Sequence, residues 1–259
     1  MRGRLGVLMA LVALLGAGLL AGVLGGTPRA AAAGRRLPSY LSFGSQVHQL
    51  LTVTSPDWSS TRGTLRAWRR GTGRWRLVHG PVTVRLGWSG WARGTRRRQD
   101  SGTTPAGSFR LRYAFGNRPD PGTALRYVHV DDNDVWPYEP RDPATYNIYQ
   151  PFQASTSHWR PDFRERLSHY PRQYAYAVVI GFNLPSGVHW SRSRHQYVAR
   201  HPADTARGGG IFLHVQRPEY TAGCVAGPID DVRWLVRWLA PPARPRIVMG
   251  PEQWVRWRF

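Results

Sequence analysis

Ile211-Phe212-Leu213-His214-Val215, followed by Thr221-Ala222-Gly223-Cys224-Val225 and then by Ile229 through Pro242, is the stretch that decides how this chain folds. The first segment is apolar and β-branched or aromatic, the composition of a buried strand, and a period of two puts Phe212 and His214 on one face. From Ile229 the period changes: Val232, Leu235, Val236 and Leu239 fall on one helical face, Arg233 and Arg237 fall elsewhere, and Pro241-Pro242 ends the element. Pro228 suits a first helical turn, and Asp230 and Asp231 suit the positive end of the helix dipole. A strand, a glycine-bearing loop and a helix therefore follow one another, with Cys224 in the loop. That placement, just before a helix N-terminus, is expected to favour thiolate over thiol. The backbone N–H groups of Gly223 and Cys224 are expected to stabilise an oxyanion.

Cys224 is the only cysteine of the 259 residues, so no internal disulfide can form. Residues 1–33 read as a signal peptide. Arg2 and Arg4 precede an almost uninterrupted apolar run from Leu5 to Leu24, and Ala31-Ala32-Ala33 offers a small-residue cleavage site. The apolar run is also long enough to serve as an uncleaved N-terminal membrane anchor. Either way the remainder is expected outside the membrane, extracellular or in the cell wall, where a lone free thiol calls for a chemical role. His214, ten positions before Cys224 and on a neighbouring strand, is the candidate base of a Cys–His acyl-transfer pair.

The formal charge of +21 is carried by arginine alone, since the chain contains no lysine. The arginines are spread along the sequence rather than gathered in a stripe, which argues against nucleic acid as a partner and leaves anionic wall polymers as the accessible counter-charge. Arg93 with Arg96-Arg97-Arg98 reads as a solvated loop.

Behind a linker at 34–42, residues 43–259 read as one mainly β domain. A strand is expected over Gln46–Thr54 and a hairpin over Gly63–His79, continued by Val82–Leu86. A long ordered loop is expected over Asn117–Gln150, a central strand over Tyr174–Phe182, a flap over Pro185–Arg207 and a last strand over Arg246–Met249. His189, His195 and His201 are spaced too evenly for a compact metal-ligand set, and Asp131-Asp132-Asn133-Asp134 lacks the glycine and terminal glutamate of a calcium loop. No metal and no cofactor is expected.

The His214 and Cys224 segments resemble the catalytic segment of the L,D-transpeptidase (YkuD-like) family, in its exported, arginine-rich actinobacterial form. So do Thr104-Pro105-Ala106-Gly107-Ser108-Phe109, Pro121-Gly122-Thr123, Tyr146-Asn147 and Tyr176 through Asn183. The likeness runs from about residue 46 to 250. It implies a mainly β fold of two packed mixed sheets enclosing a groove, with one helix after the catalytic cysteine. It also implies cleavage of a peptidoglycan stem peptide between a diamino acid at position three and D-alanine at position four. The acyl group is held as a thioester and passed to an amine of another stem, giving a 3→3 cross-link. Carried onto this chain, Cys224 is the nucleophile and His214 the general base and acid. Gly223 lies at the oxyanion, and Thr221, Tyr146 and Asn183 are candidate substrate-binding positions. Departures fall beside the nucleophile: Ala222 stands where the family commonly has histidine, and Val225-Ala226 where it has a polar residue. Hydrolysis by an L,D-carboxypeptidase, or a wall-binding module without turnover, are the alternatives.

Overall fold

The computed structural model describes residues 37–151, 158–217 and 220–259; the expected signal or anchor, 1–33, lies outside them. In chain order the strands are β1 Gln49–Ser55, β2 Arg62–Arg70, β3 Trp75–Arg85, β4 Trp91–Arg93, β5 Thr104–Gly116, β6 Tyr127–His129 and β7 Val135–Pro137. They continue as β8 Arg164–Arg166, β9 Ala177–Ile180, β10 Ser186–Ser191, β11 Gln196–His201, β12 Phe212–Val215, β13 Val225–Gly227 and β14 Arg246–Pro251. The α-helices are α1 Ile229–Trp238 and α2 Glu252–Arg258.

The fold is mainly β. Ten strands form one mixed sheet whose pairing runs β14–β1–β2–β3–β13–β12–β9–β5, and β5 pairs back to β14, so the hydrogen-bonded circuit closes. Two walls thus face each other as expected, but they are continuous. The closing contact is Arg246–Met249 against Arg110–Gly107, an antiparallel ladder that leaves neither strand an open edge there. Between the walls lies the main core, in which Leu51, Val53, Leu65, Val84, Leu111, Val178, Leu213, Val225 and Ile247 meet Val232, Leu235, Val236 and Leu239 of α1. The helical face read from the sequence is the face that packs.

β1 is buried along its whole length rather than on alternate residues. Its second face is covered too: Leu50 packs with Trp68, Val248, Val255 of α2, and Leu37 and Leu41. Residues 37–41 therefore belong to the packed domain and not to a linker, and the domain boundary moves N-terminal of 43. α2, for which the sequence reading made no provision, seals the same face. The Asn117–Gln150 segment is largely loop, carrying short β6 and β7. The expected flap is a two-stranded hairpin, β10–β11, bound to the loop through Gln150, whose side chain bonds both N–H and C=O of Tyr197.

Candidate active site

Parallel pairing of β12 with β13 sets Leu213 against Val225 and His214 against Ala226. Alternation then sorts the side chains. Leu213, Val215 and Val225 enter the main core, while Phe212 and Cys224 join a second cluster with Phe115, Trp136, Tyr174 and Val179. His214 goes with that second set, edge-on to the Tyr174 ring at a centroid distance of 5.5 Å. The sharing of a face by Phe212 and His214, expected from period two, is what the strand does.

Cys224 and His214 line a single cavity of about 440 Å³, together with Arg97, Glu165, Tyr138, Tyr174, Thr221 and Trp88 among others. The thiol donates to Gly210 O at 3.2 Å and accepts from the Phe212 N–H at 3.3 Å. His214 Nδ1 lies 2.8 Å from Val215 O. Because a carbonyl can only accept, Nδ1 carries the proton and Nε2 is left as the basic nitrogen. Among the described residues no hydrogen bond joins His214 to Cys224.

Burial pushes the Cys224 thiol up to about 12, opposed only in part by the Phe212 N–H and Arg97, while Glu165 adds to the rise. Burial pushes the His214 imidazole down to about 4, against the pull of its bond to Val215 O. Both groups rest neutral. Burial therefore opposes a resting thiolate–imidazolium pair from both sides, since it disfavours the charge on each group. This corrects the expectation that a helix N-terminus lowers the thiol. β13 and Pro228 separate Cys224 from α1, roughly 13 Å of extended chain, and a helix dipole fades within about a turn.

The loop before the nucleophile is held by its own side chains. Thr221 Oγ1 donates to Cys224 O at 2.8 Å and accepts the Gly223 N–H at 3.1 Å, while Thr221 N–H donates to Leu86 O at 3.0 Å. Thr221 is thus a brace around the nucleophile. It also occupies the Gly223 N–H that had been expected to face an oxyanion. Gly223 has φ +139°, and a Cβ there would lie 2.7 Å from Thr103 O and 2.9 Å from Arg97 Nη2, so no other residue fits.

Tyr146 and Asn183 do not line the cavity. Tyr146 is buried and donates to Gln99 Oε1 at 2.6 Å, and Gln99 is the one that reaches the cavity. Asn183 bonds the backbone of Asp204 and Gly208 and so fixes the segment entering β12. Both shape the site from behind. β10 and β11 likewise contribute no cavity residue.

Two cavity residues escaped the sequence reading. Arg97, taken for part of a solvated loop, is buried, and its guanidinium donates to the carbonyls of Thr103, Arg207 and Ala222 at 2.7, 2.7 and 3.3 Å. It staples three loops around Cys224, and burial lowers its own affinity for a proton. Nothing in the triplet Arg96-Arg97-Arg98 marks the middle one. Glu165 takes the Tyr138 hydroxyl at 2.8 Å on one carboxylate oxygen and the Tyr174 hydroxyl at 2.6 Å on the other. Burial raises its carboxyl despite those bonds. Among the described residues no group of three or more His, Cys, Asp or Glu could hold a metal ion.

No curated protein matches. Among solved structures, that of the helical cell shape determining protein Pgp2 from Campylobacter jejuni is similar at 11% identity over 83% of this chain and 54% of that one, with a TM-score of 0.39. The present chain thus spans about half the length of that structure. The family model described as the L,D-transpeptidase catalytic domain (YkuD) matches residues 57–248, a span that contains every residue lining the cavity, from Trp88 to Ala226. With that match over most of the sequence, the chain belongs to the L,D-transpeptidase catalytic domain family.

Proposed function

We propose that Cys224 attacks the carbonyl of the third residue of a peptidoglycan stem peptide, forming a thioester, and that the acyl group then passes to an amine of a second stem. The reading rests on one observation above the others. The lone thiol of the chain, just before β13, and a histidine on the paired strand β12 with only Nε2 free to accept a proton line one cavity.

Because the resting pair is neutral, proton transfer is concerted with attack. Nε2 of His214 takes the thiol proton as the C–S bond forms, and the oxyanion develops beside Cys224. The imidazolium then gives its proton to the departing amine of the fourth residue as the C–N bond breaks, which leaves the thioester. In the second half the acceptor amine attacks, His214 removes its proton, and the thiolate leaves and is reprotonated. Arg97 supplies a fixed positive charge near the sulfur while it is ionised. The oxyanion formed from the substrate carbonyl is expected to face the Cys224 N–H, since Thr221 already holds that of Gly223.

Hydrolysis is the second reading, favoured by Ala226 in the cavity lining and Ala222 beside Cys224, which offer an incoming amine no side-chain hydrogen bond. Export through residues 1–33, with action in the cell wall, is part of the same proposal, and anionic wall polymers are its secondary partners. Mass spectrometry of the protein with a tetrapeptide donor and an acceptor stem separates the outcomes: a Cys224 acyl-enzyme with cross-linked dimer supports transfer, and an acyl-enzyme with tripeptide alone supports hydrolysis. Unmodified protein and intact peptides would overturn both.

A further inference from the structure

Glu165 has no part in the acyl-transfer steps, yet it stands in the cavity of Cys224. It is partly buried on β8, where it stands opposite Trp136 in the β7–β8 ladder. Its two oxygens take one tyrosine hydroxyl each. An ionised carboxylate has about four lone-pair sites, so each oxygen keeps capacity for another donor. Both tyrosines stay protonated, because burial lifts their hydroxyls well above the ordinary range, and they can only support the carboxylate as donors here.

The other charged cavity residues are differently engaged. Arg97 is committed to three backbone carbonyls, Arg217 is exposed, and Asp100 lies on the segment that carries Gln99. Among the described residues no cation is paired with Glu165, in a chain whose net charge is +21. A carboxylate in such a place repels an anionic ligand and is stabilised by a cationic one that brings its own N–H donors. Its supports also touch the reaction centre. The Tyr174 ring meets His214 edge-on, and the Tyr138 ring lies against Gly210, whose carbonyl accepts the hydrogen bond of the thiol.

We infer that Glu165, held by Tyr138 and Tyr174, is the specificity residue that receives an ammonium group of the peptide substrate beside the scissile carbonyl. This rests on the reading of the cavity as a stem-peptide site and names the part of the peptide it selects. The ammonium takes the remaining lone pairs of the carboxylate, and the peptide is thereby registered with its carbonyl over Sγ. Glu165 touches the substrate but moves no proton in the reaction.

The test uses Cys224→Ala protein and three tetrapeptide stems that differ only at the side-chain amine of the third residue: free, dimethylated, which keeps the charge with added bulk, and acetylated, which removes it. The free and dimethylated peptides should bind roughly 10- to 100-fold more tightly than the acetylated one. That gap should close in Cys224→Ala/Glu165→Gln. Equal binding of all three peptides, or a gap that persists without the carboxylate, would overturn the inference. Should the double variant not fold, carbodiimide coupling of the free-amine peptide to Cys224→Ala decides the matter. An amide mapped to Glu165 supports the assignment, and coupling only at Asp100 or surface acids rejects it. Wild-type protein keeps the two proposals apart: acylation of Cys224 without amine discrimination sinks this inference alone, whereas acylation by none of the peptides sinks the proposed function.

Discussion

The β14–β1–β2 wall and the β13–β12–β9 wall belong to one circuit and both carry buried cores, but they are filled differently. In the first, Leu50, Leu51, Val53, Leu65, Ile247 and Val248 are shielded by apolar neighbours on both faces. In the second, the outer face carries His214 and Cys224, with Arg97 and Glu165 close by, each tied to a carbonyl or a hydroxyl. Burial of apolar surface stabilises the first wall. Burial of polar groups costs the second wall stability and gives it displaced proton affinities, which is the pattern expected of a reactive site.

Substitution at Cys224 sharpens the contrast most. Cys224→Ala should abolish acyl-enzyme formation and labelling by a carbapenem, while thermal unfolding shifts by only a few degrees; retained turnover in the folded variant would break the comparison. His214→Ala should slow acylation by about 10²- to 10⁴-fold. With the thiol near 12, the variant's rate should climb about tenfold per pH unit well beyond pH 9. For wild-type protein, kcat/KM should hold down to pH 5 and fall with a limb near 4, where the imidazole protonates. A limb near 6.5 would mean an ordinary, hydrated histidine.

In the apolar wall the expected loss is one of stability. Leu65→Ala should lower unfolding free energy by roughly 2 to 5 kcal/mol in denaturant titration, leaving the activity per folded molecule unchanged. The catalytic wall should instead show its cost in acid. His214 binds a proton near 6.5 when unfolded but only near 4 when folded. Its contribution is therefore constant above 6.5 and is lost as pH falls toward 4, by about 3 kcal/mol. The wild-type acid slope over that window should exceed the slope of His214→Ala, and parallel slopes would show that His214 titrates normally. Smallest is Thr221→Val, which removes the hydroxyl between Gly223 N–H and Cys224 O. It should cost about 1 to 2 kcal/mol of stability and lower the acylation rate by roughly tenfold; an unchanged rate would mean that the brace does not position the nucleophile.

What was legible in the sequence was local and periodic. The face of α1, the alternation of β12 and the β2–β3 hairpin follow from spacing, because a helix or strand can bury only the residues its repeat presents, and the nearness of Cys224 to His214 follows from a strand running into a short loop. β5 was seen as a motif rather than as a long strand, since its partners β9 and β14 come from distant parts of the chain. α2 and the docking of Leu37 and Leu41 escaped for the same reason: they cover a face of β1 that the sequence of β1 alone does not show to be covered. Tyr146 and Asn183 were placed near the site by resemblance, but they hold its framework from outside the cavity.

By itself the sequence determined the chemistry on offer: one thiol, one histidine on the strand that leads into its loop, and a glycine where the backbone must come close. Only the tertiary structure decided how that chemistry rests. It set three loops on Arg97, put two tyrosines on Glu165, gave the Gly223 N–H to Thr221, and placed β13 between the nucleophile and the helix. Proton affinities are set by desolvation and by partners drawn from the whole chain, and neither quantity is written in the order of residues around the group that titrates.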